Sequence, residues 1–361
     1  MSLPSVVKVV GTGLIGTSIG LALRGKGSDV VLTDPSPTTQ ALARDLGAGR
    51  FARPDDDPDL VVVAAPPDVV AEVVAAELVA HPRAVVTDVA SVKDGPLQAL
   101  RHGGSDLTRY VGGHPLAGRE RSGPVAARAD LFVGRPWVLT PSWESADEAV
   151  AVVRDVAVAL GATVSVMDAV DHDGAVAVVS HVPQIAASLV AARLRDLPES
   201  AVALAGQGIR DVTRIAASDP ELWTQILAGN STAVVRTLRG VHADLTRLLT
   251  ALDDLADGTA TGARATIAGL VADGNVGQAR IPGKHGSAPT SYAYVVVLVP
   301  DRPGELGRLL RDIGAAEVNL EDLRIEHSEG QPVGLAEVAV LPAAEQRLVL
   351  ALRELGWNVQ G

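Results

Sequence analysis

Residues 6–16 decide the fold of this chain, and they read VVKVVGTGLIG. The β-branched run before Gly11 is typical of a buried strand, and the apolar residues after Gly13 begin a segment with helical spacing. In such a unit Gly11 permits a tight turn, Gly13 lets the backbone approach a pyrophosphate, and Gly16 allows close packing of helix and strand. The stretch therefore predicts a Rossmann nucleotide-binding unit at the start of the chain.

The residues around this turn indicate which nucleotide is bound. Free N–H groups at the start of the helix, where Leu14 and Ile15 lie, favour phosphates. Ala65 and Pro66, after a later strand, resemble the turn that passes over the cofactor in many such enzymes. Asp34 ends the second predicted strand, where a carboxylate accepts hydrogen bonds from the adenosine ribose and repels a 2′-phosphate. NAD is therefore favoured over NADP.

Hydrophobic periodicity divides the chain into regions. Up to about residue 167, β-branched runs alternate with Ala- and Leu-rich helical segments, which predicts an α/β domain with a parallel sheet covered on both faces. The predicted strands are Val6–Val10, Val30–Thr33, Leu60–Ala64, Ala84–Thr87 and Trp137–Thr140. From residue 168 to 280 no strand-like run occurs, and the helical spacing predicts an all-helical domain.

The last part of the chain carries a different pattern. A stretch rich in Gly, Pro, His and Ser at 281–291 predicts a linker. Residues 292–361 then follow the order βαββαβ, which suits a small ferredoxin-like domain. Its predicted elements are Tyr292–Val299, Glu305–Asp312, Val318–Glu326, Val333–Val340 and Ala343–Leu355, with a short final strand.

The composition excludes several classes of protein. A formal net charge of -12 over 361 residues argues against nucleic-acid binding, which depends on clustered Lys and Arg. The absence of cysteine excludes disulfides, thiolate metal sites and a Cys nucleophile, and it fits a reducing cytoplasm. No uncharged apolar stretch reaches the roughly 20 residues of a membrane helix, and no signal-peptide pattern is present. We therefore expect a soluble cytoplasmic protein that binds neither nucleic acid nor membrane.

Three polar segments stand out after the glycine turn. Residues 88–93 (DVASVK) follow a predicted strand at the edge where α/β sheets bind ligands. His114 lies in a predicted loop between glycines and can take a proton near neutral pH, although a single loop histidine is more often incidental. Arg210 and Arg214 share a face if their segment is helical, which suits a substrate with carboxylates. The alternative is a solvated face with Arg214 bridging to Asp211.

The order of these motifs resembles the prephenate and arogenate (also spelled arrogenate) dehydrogenase family, the oxidative enzymes of tyrosine biosynthesis. The motifs are the glycine turn, DVASVK at 88–93, GHPLAG at 113–118, SHVP at 180–183, TRIA at 213–216 and the following Trp223. The resemblance implies NAD-dependent oxidative decarboxylation of prephenate to 4-hydroxyphenylpyruvate, or of arogenate to tyrosine, without choosing between them. It also implies a homodimer in which the helical domain completes the cleft.

The resemblance assigns roles to individual side chains. His114 would accept the hydrogen bond and the developing proton of the substrate hydroxyl, with Ser91 orienting it. Arg214 would bind a substrate carboxylate, and Arg210 keeps a cation where the family often has lysine. Because these groups hold the hydroxyl and the carboxylates, the implied mechanism needs no metal.

Four further positions either have two interpretations or depart from the family pattern. His181 either faces the cleft or packs between helices, and Gln184 stands where family members commonly have another histidine. Arg119 stands where a small hydroxyl residue is frequent, so that an added cation there would affect which substrate side chain is preferred. Trp223 either contacts the active site of a neighbouring subunit or anchors the core.

Residues 299–306 (VPDRPGEL) and 318–323 (VNLEDL) resemble the ACT domain, a regulatory module that binds amino acids. Gly304 opens a helix whose N–H groups suit a carboxylate, and Asn319 supplies an amide at the facing strand. The implied ligand residues are Gly304, Glu305, Leu306 and Asn319. By family analogy the effector is tyrosine, a feedback inhibitor; the alternative is a domain that serves subunit pairing.

Two other functions stay open at this point. A hydroxyacid dehydrogenase would normally use a catalytic lysine in the helical domain, but no lysine occurs between Lys93 and Lys284. A non-enzymatic nicotinamide or amino-acid sensor would keep the glycine turn and the C-terminal module, but it has no need of His114 together with Arg214.

Overall fold

The computed structural model of the chain describes residues 3–117, 123–258, 261–282, 292–327 and 333–360. These residues fall into two compact units, Met1–His242 and Ala243–Gly361. Each unit has its own buried hydrophobic cluster.

An eight-stranded sheet organises the first unit. Its strands are β1 (Val6–Val10), β2 (Asp29–Thr33), β3 (Arg50–Phe51), β4 (Leu60–Val63), β5 (Val85–Asp88), β6 (Tyr110–Pro115), β7 (Pro136–Thr140) and β8 (Thr163–Val166). They lie in the order β3-β2-β1-β4-β5-β6-β7-β8. The described pairs are parallel except for β6 and β7, which are antiparallel. The predicted α/β architecture is confirmed, with a mixed rather than a purely parallel sheet.

Helices cover both faces of this sheet. They are α1 (Leu14–Arg24), α2 (Pro37–Asp45), α3 (Val70–Ala80), α4 (Asp94–His102) and α5 (Asp147–Ala159). Alternate residues of β4 show the two layers, because Leu60 and Val62 pack in one buried cluster while Val61 and Val63 pack in another. A strand buried on both faces needs a continuous apolar run, and β4 supplies one.

Strand β6 corrects one prediction of the sequence. His114 was expected in a loop, but it lies in β6 and pairs with Val138 of the antiparallel strand β7. Two glycines and a proline give β6 little strand propensity of its own. Its pairing with β5 and β7 on either side fixes it as a strand.

Helices follow the sheet. They are α6 (Ala169–Val176), α7 (Val182–Ala192), α8 (Glu199–Val202), α9 (Gln207–Thr213), α10 (Pro220–Gly229) and α11 (Ser231–Ala256), with a π turn at Ala177–His181 and a 3-10 turn at Arg214–Ala216. No strand occurs among the described residues between 169 and 256, as predicted.

One stretch of these helices, Ala169–Ala192, is long and apolar enough to cross a membrane by length and composition alone. Its polar residues argue for an interior role instead. His172, Asp173 and His181 are buried and make hydrogen bonds within the same unit. We therefore interpret the stretch as a core helix of a folded domain.

The second unit contains a four-stranded antiparallel sheet. Its elements are α12 (Ala263–Gln278), β9 (Ala293–Pro300), α13 (Glu305–Ala315), β10 (Asp322–His327), β11 (Val333–Val340), α14 (Pro342–Glu354) and β12 (Asn358–Gln360). The strand order β10-β11-β9-β12 is that of a ferredoxin-like fold, so the predicted βαββαβ order is confirmed. The second strand begins at Asp322 rather than Val318, and Val318 packs in the core from the segment before the strand. Most of the predicted linker, at 283–291, lies outside the described residues.

The three glycines of the first turn differ in what surrounds them. Gly11 has a φ of 93°, and a Cβ on it would lie 2.4 Å from the carbonyl oxygen of Ala64. A Cβ on Gly16 would lie 1.9 Å from the carbonyl oxygen of Gly11. A Cβ on Gly13 would meet no protein atom within 4 Å. The fold itself therefore requires Gly11 and Gly16, whereas Gly13 leaves open space above the turn.

Gly16→Ala is expected to lower the free energy of unfolding by about 1–3 kcal/mol, because its methyl group overlaps a backbone oxygen inside the turn. Gly13→Ala, in the same turn, is expected to change it by less than about 1 kcal/mol. Thermal unfolding followed by circular dichroism compares both variants with the wild type. Equal melting temperatures for the two variants would contradict the packing argument.

Candidate active site

The candidate site lies at the carboxyl ends of the parallel strands, where α/β sheets bind their ligands. The glycine turn follows β1, Asp88 ends β5, and His114 lies near the end of β6. Gly113 lets β6 approach its neighbours closely, because a Cβ there would lie 3.0 Å from the carbonyl oxygen of Asp88 and 3.1 Å from Nε1 of Trp137. The sheet thus places His114 at the same edge as the nucleotide turn, with β4 and β5 between them.

A second histidine contacts His114. Nδ1 of His114 lies 2.8 Å from Nε2 of His172, and Nδ1 of His172 lies 2.8 Å from Oδ1 of Asp173. Asp173 also accepts the backbone N–H groups of Lys93 and Asp94, each at 2.9 Å. The start of α4 and the helix α6 are therefore joined through one carboxylate.

The surroundings of His114 keep its ring neutral. Burial lowers the pKa of His114 well below its usual 6.5, and the positive charge of the buried Lys93 lowers it further. A neutral imidazole can accept a proton, which is the property required of a general base.

A buried ion pair supports the strand that carries His114. Asp88 and Lys93 contact each other and are almost completely buried. Asp88 also accepts hydrogen bonds from the hydroxyl of Tyr110 at 2.7 Å and from the backbone N–H of Ala90 at 2.9 Å. Burial lowers the pKa of Lys93 against the opposing effect of Asp88, and burial beside Asp88 raises that of Tyr110 well above its usual value. This cluster ties β5, β6 and the segment 88–93 together.

His181 belongs to the same polar region. Its Nδ1 lies 3.1 Å from Nδ2 of Asn230, which also donates to the backbone oxygen of Asp173 at 2.8 Å. The ring of Trp223 meets His181 edge-on, with 6.0 Å between ring centroids. Burial lowers the pKa of His181. Trp223 therefore packs on the His181 side of the site within its own chain.

Gln184, at the position where relatives were expected to have a histidine, is buried and hydrogen-bonded to serine side chains. Its amide donates to Oγ of Ser218 at 3.0 Å, and Ser218 in turn donates to the carbonyl oxygen of Ile215 at 2.6 Å. The side chain of Gln184 thus links α7 to the turn before α10.

The other predicted substrate residues are not bonded to His114. Ser91 is half-buried in the segment after β5, and within the described residues no hydrogen bond joins it to His114. Arg210 in α9 and Arg214 in the following turn are exposed and form no ion pair with any described residue. Asp211 accepts from Gln207 at 2.8 Å instead of bridging to Arg214. Arg119 lies outside the described residues.

The predicted nucleotide residues follow the neighbouring strands β1, β2 and β4 at one edge of the sheet. Asp34, half-buried, accepts the backbone N–H of Thr12 at 2.6 Å, its hydroxyl at 2.9 Å and the backbone N–H of Ser36 at 2.8 Å. A carboxylate has about four acceptor positions, so it can still accept from a ribose hydroxyl. The turn containing Ala65 and Pro66 directly follows β4, next to β1 in the sheet. These residues fit a bound dinucleotide.

In the second unit, two of the predicted ligand residues have partners within the chain. Gly304, with a φ of 92°, begins α13 as predicted. Glu305 forms an ion pair with Arg308 at 2.9 Å. Asn319 donates to Glu321 at 2.7 Å and precedes β10 rather than lying within it, so its amide is not part of a facing strand.

His172, Asp173 and Asn230 were not predicted as site residues. The signal available was the polar run Asp171-His172-Asp173 inside an otherwise apolar helical pattern. Buried polar groups in such a pattern require partners, which makes them candidates for a site.

Comparison with known proteins identifies the family. Residues 19–166 match the family model of the prephenate dehydrogenase nucleotide-binding domain, and residues 168–259 match that of the prephenate dehydrogenase dimerization domain. A probable prephenate dehydrogenase of Streptomyces niveus, NovF, is 40% identical over 353 residues, which cover 97% of this chain and 98% of that protein.

Solved structures agree with this assignment. Prephenate dehydrogenase from A. aeolicus, in complex with hydroxyphenyl propionate and NAD+, superposes with a TM-score of 0.66 at 28% identity, over 78% of this chain and 99% of that one. Synechocystis arogenate dehydrogenase superposes with a TM-score of 0.61 at 28% identity, over 75% of this chain and 99% of that one. The chain therefore belongs to the prephenate dehydrogenase family of NAD-dependent oxidoreductases.

Proposed function

We propose that the chain oxidises and decarboxylates prephenate to 4-hydroxyphenylpyruvate with NAD, a step of tyrosine biosynthesis. The observation that carries this proposal is His114, half-buried at the ligand-binding edge of the sheet and bonded to His172, whose lowered pKa suits a general base. The names of the S. niveus relative and of the A. aeolicus structure support prephenate as the substrate.

The chemistry requires little beyond proton handling and orientation. Prephenate is a cyclohexadiene with a carboxylate on one ring carbon and a hydroxyl on the opposite one, and bound NAD accepts the hydride from the hydroxyl-bearing carbon. His114 takes the hydroxyl proton as that C–O bond becomes a carbonyl. The ring carboxylate then leaves as carbon dioxide, and its bonding electrons make the ring aromatic. The ring oxygen becomes a phenolate, to which His114 returns the proton.

The arginines hold the substrate in this proposal. Arg214 binds a substrate carboxylate and Arg210 adds a second cation, because both guanidinium groups are exposed without an ion pair among the described residues. Ser91 shares the hydrogen bond of the substrate hydroxyl with His114. His181, with Trp223 against its ring, forms another wall of the substrate site.

Asp34 accounts for the preference for NAD. Its carboxylate, at the end of β2, accepts the ribose hydroxyls and repels a 2′-phosphate. Gly13 leaves room for the pyrophosphate above the turn, with the N–H groups of Leu14 and Ile15 beneath it. Ala65 and Pro66 contact the other end of the cofactor.

Arogenate is the alternative substrate, because the Synechocystis structure with the same fold is an arogenate dehydrogenase. The two substrates differ in a keto or an amino group on the side chain. Arg119, as an extra cation after the His114 segment, would affect this choice by favouring the substrate with less positive charge.

The domain organisation proposed from the sequence accompanies this function. It comprises an NAD-binding domain at 1–167, a helical substrate and dimerisation domain at 168–280, a linker at 281–291 and a regulatory domain at 292–361. We propose a cytoplasmic homodimer, supported by apolar residues exposed along one stripe of α11. These residues are Val241, Leu245, Leu249 and Leu252.

We propose further that the second unit is an ACT-like regulatory domain that binds tyrosine. Its ferredoxin-like strand order and the left-handed Gly304 at the start of α13 support this. The N–H groups of Glu305 and Leu306 would meet the carboxylate of the amino acid. Asn319 would have to exchange its hydrogen bond with Glu321 for one with the ligand.

The purified protein is expected to reduce NAD when prephenate is added, measured as reduced-nicotinamide absorbance, with arogenate as the competing substrate. His114→Asn is expected to lower kcat by about 100-fold to 10,000-fold while NAD affinity is kept, because only the proton acceptor is lost. If the protein binds NAD but turns over neither substrate, the proposal is contradicted and a nicotinamide sensor is favoured. Undiminished turnover of prephenate by His114→Asn would show that His114 is not the proton acceptor.

Arg214→Gln is expected to raise the KM for prephenate about 10-fold to 100-fold, the loss of one charge-assisted hydrogen bond. Arg195→Gln serves as the matched control, since Arg195 is an exposed arginine of the same helical region paired with Asp196. Steady-state rates at fixed NAD give KM and kcat for each variant. Equal KM values for the two variants would exclude Arg214 from substrate binding.

Tyrosine is expected to inhibit the wild-type enzyme, and Asn319→Ala to shift this inhibition to higher tyrosine concentration without changing the uninhibited rate. A change in activity with effector is the evidence that regulation requires. Phenylalanine provides the control for specificity. If tyrosine at saturating concentration leaves the rate unchanged, the second unit serves subunit pairing instead.

A further inference from the structure

His114, His172 and Asp173 form a continuous chain of hydrogen bonds behind the proposed base. The two links, His114 Nδ1 to His172 Nε2 and His172 Nδ1 to Asp173 Oδ1, are each 2.8 Å long. His172 is completely buried, so these are the partners of its two nitrogens. We infer that His172 and Asp173 are positioning residues that hold His114 in the one tautomer able to accept the substrate proton. The inference rests on the proposed function, which defines the role of His114.

The tautomers of His114 and His172 follow from the chemistry of Asp173, the last residue in this series of hydrogen bonds. An ionised carboxylate only accepts hydrogen bonds, so Nδ1 of His172 must carry a hydrogen directed at Asp173. A neutral His172 then has a lone pair on Nε2 and can only accept. Nδ1 of His114 must therefore be the donor, which leaves the lone pair of His114 on Nε2. That nitrogen is the one available to a substrate.

The reverse arrangement would disable the base. If His172 donated to Nδ1 of His114, the neutral His114 would carry its hydrogen on Nε2 and could not take another from the hydroxyl. A histidine base whose ring is oriented by a carboxylate loses most of its activity when the wrong tautomer is favoured, as serine proteases show. Here the same constraint acts through one additional imidazole.

Asp173 is itself held in a fixed orientation. The backbone N–H of Lys93 donates to Oδ1 and that of Asp94 to Oδ2, each at 2.9 Å, so both carboxylate oxygens are engaged. Asn230 holds the backbone oxygen of Asp173 at 2.8 Å. The carboxylate cannot rotate away from His172 without losing the bonds from Lys93 and Asp94.

The same chain stabilises the positive charge that His114 acquires during the reaction. After proton transfer, its Nδ1–H still donates to His172, and His172 still donates to the carboxylate of Asp173. The negative charge of Asp173 therefore attracts the positive charge of protonated His114 across a buried region, where such interactions are strong.

The decisive variant is His172→Gln, which removes the ring but keeps a polar side chain. We expect kcat to fall by about 100-fold or more while the KM for prephenate and the NAD affinity change by less than about threefold. His102→Gln is the matched control, because His102 is an exposed histidine at the end of α4. Asp173→Asn provides a second break in the chain, and thermal unfolding identifies any variant that fails to fold.

A double variant separates positioning from a general structural role. If His172 acts only through His114, then His172→Gln adds no further loss in the His114→Asn background, since the two residues act as one unit. An equal loss in both backgrounds would mean that His172 merely supports the fold, and this result would overturn the inference. Full activity of His172→Gln would overturn it as well.

The pH profile gives a further signature. His114 must be unprotonated to act, so kcat/KM falls as the pH drops through its pKa, which lies below 6.5 in the wild type. The groups facing His114 are His172, Lys93 and His181, with Asp173 bonded to His172 and Asp88 to Lys93. Because His172→Gln breaks the link through which Asp173 stabilises protonated His114, it is expected to move this fall to lower pH. An unmoved profile would contradict the contact.

A measurement that needs no turnover keeps this inference separate from the proposed function. Nitrogen NMR of histidine-labelled protein is expected to show His114 protonated at Nδ1 at neutral pH, and to show a mixture of tautomers in His172→Gln. Protonation at Nε2 in the wild type would overturn the positioning role even if prephenate is turned over. The expected tautomer in a protein without prephenate turnover would uphold the contact and refute the substrate assignment instead.

Discussion

The site depends above all on the carboxylate of Asp173. It accepts two backbone N–H groups, those of Lys93 and Asp94, and the ring of His172. A buried carboxylate is costly unless all its oxygens are paired, by several kcal/mol as an order of magnitude. The helix that carries Asp173 and the segment that begins α4 can therefore adopt only arrangements in which these bonds are kept. The buried carboxylate of Asp173 therefore fixes the position of α6 against the nucleotide-binding sheet within the first unit.

Lys93 connects this carboxylate to a second one. Its backbone N–H donates to Asp173, while its side chain contacts Asp88 at the end of β5. Tyr110, at the start of β6, completes the pairing of Asp88 through its hydroxyl. The same cluster that aligns β6 therefore also places a buried positive charge near His114, where it helps to lower the pKa of that residue. The structural pairing and the tuning of the base are effects of the same buried charges.

Much of the fold could be predicted from the sequence, because the glycine turn and the apolar strands each carry a local signal. The surroundings of His114 could not, since β6 has little strand propensity and is fixed by its neighbours. His172 was hidden for a geometric reason. At about 100° per residue a regular α-helix places His172 opposite His181, the histidine that the sequence did indicate. The π turn Ala177–His181 shifts the phase of the helix, and both histidines then lie in the surroundings of His114.

The series of hydrogen bonds from His114 through His172 ends at the buried Asp173, and this agrees with the proton balance of the proposed reaction. A relay that passed protons to water would have to end at the surface, but this one ends at Asp173, whose oxygens are bonded to backbone N–H groups. Oxidation of prephenate takes a proton from the ring hydroxyl, and decarboxylation leaves a phenolate on the same oxygen that takes it back. The base therefore holds a proton only between two steps and has no need to release it. A closed chain of hydrogen bonds stabilises that short-lived charge.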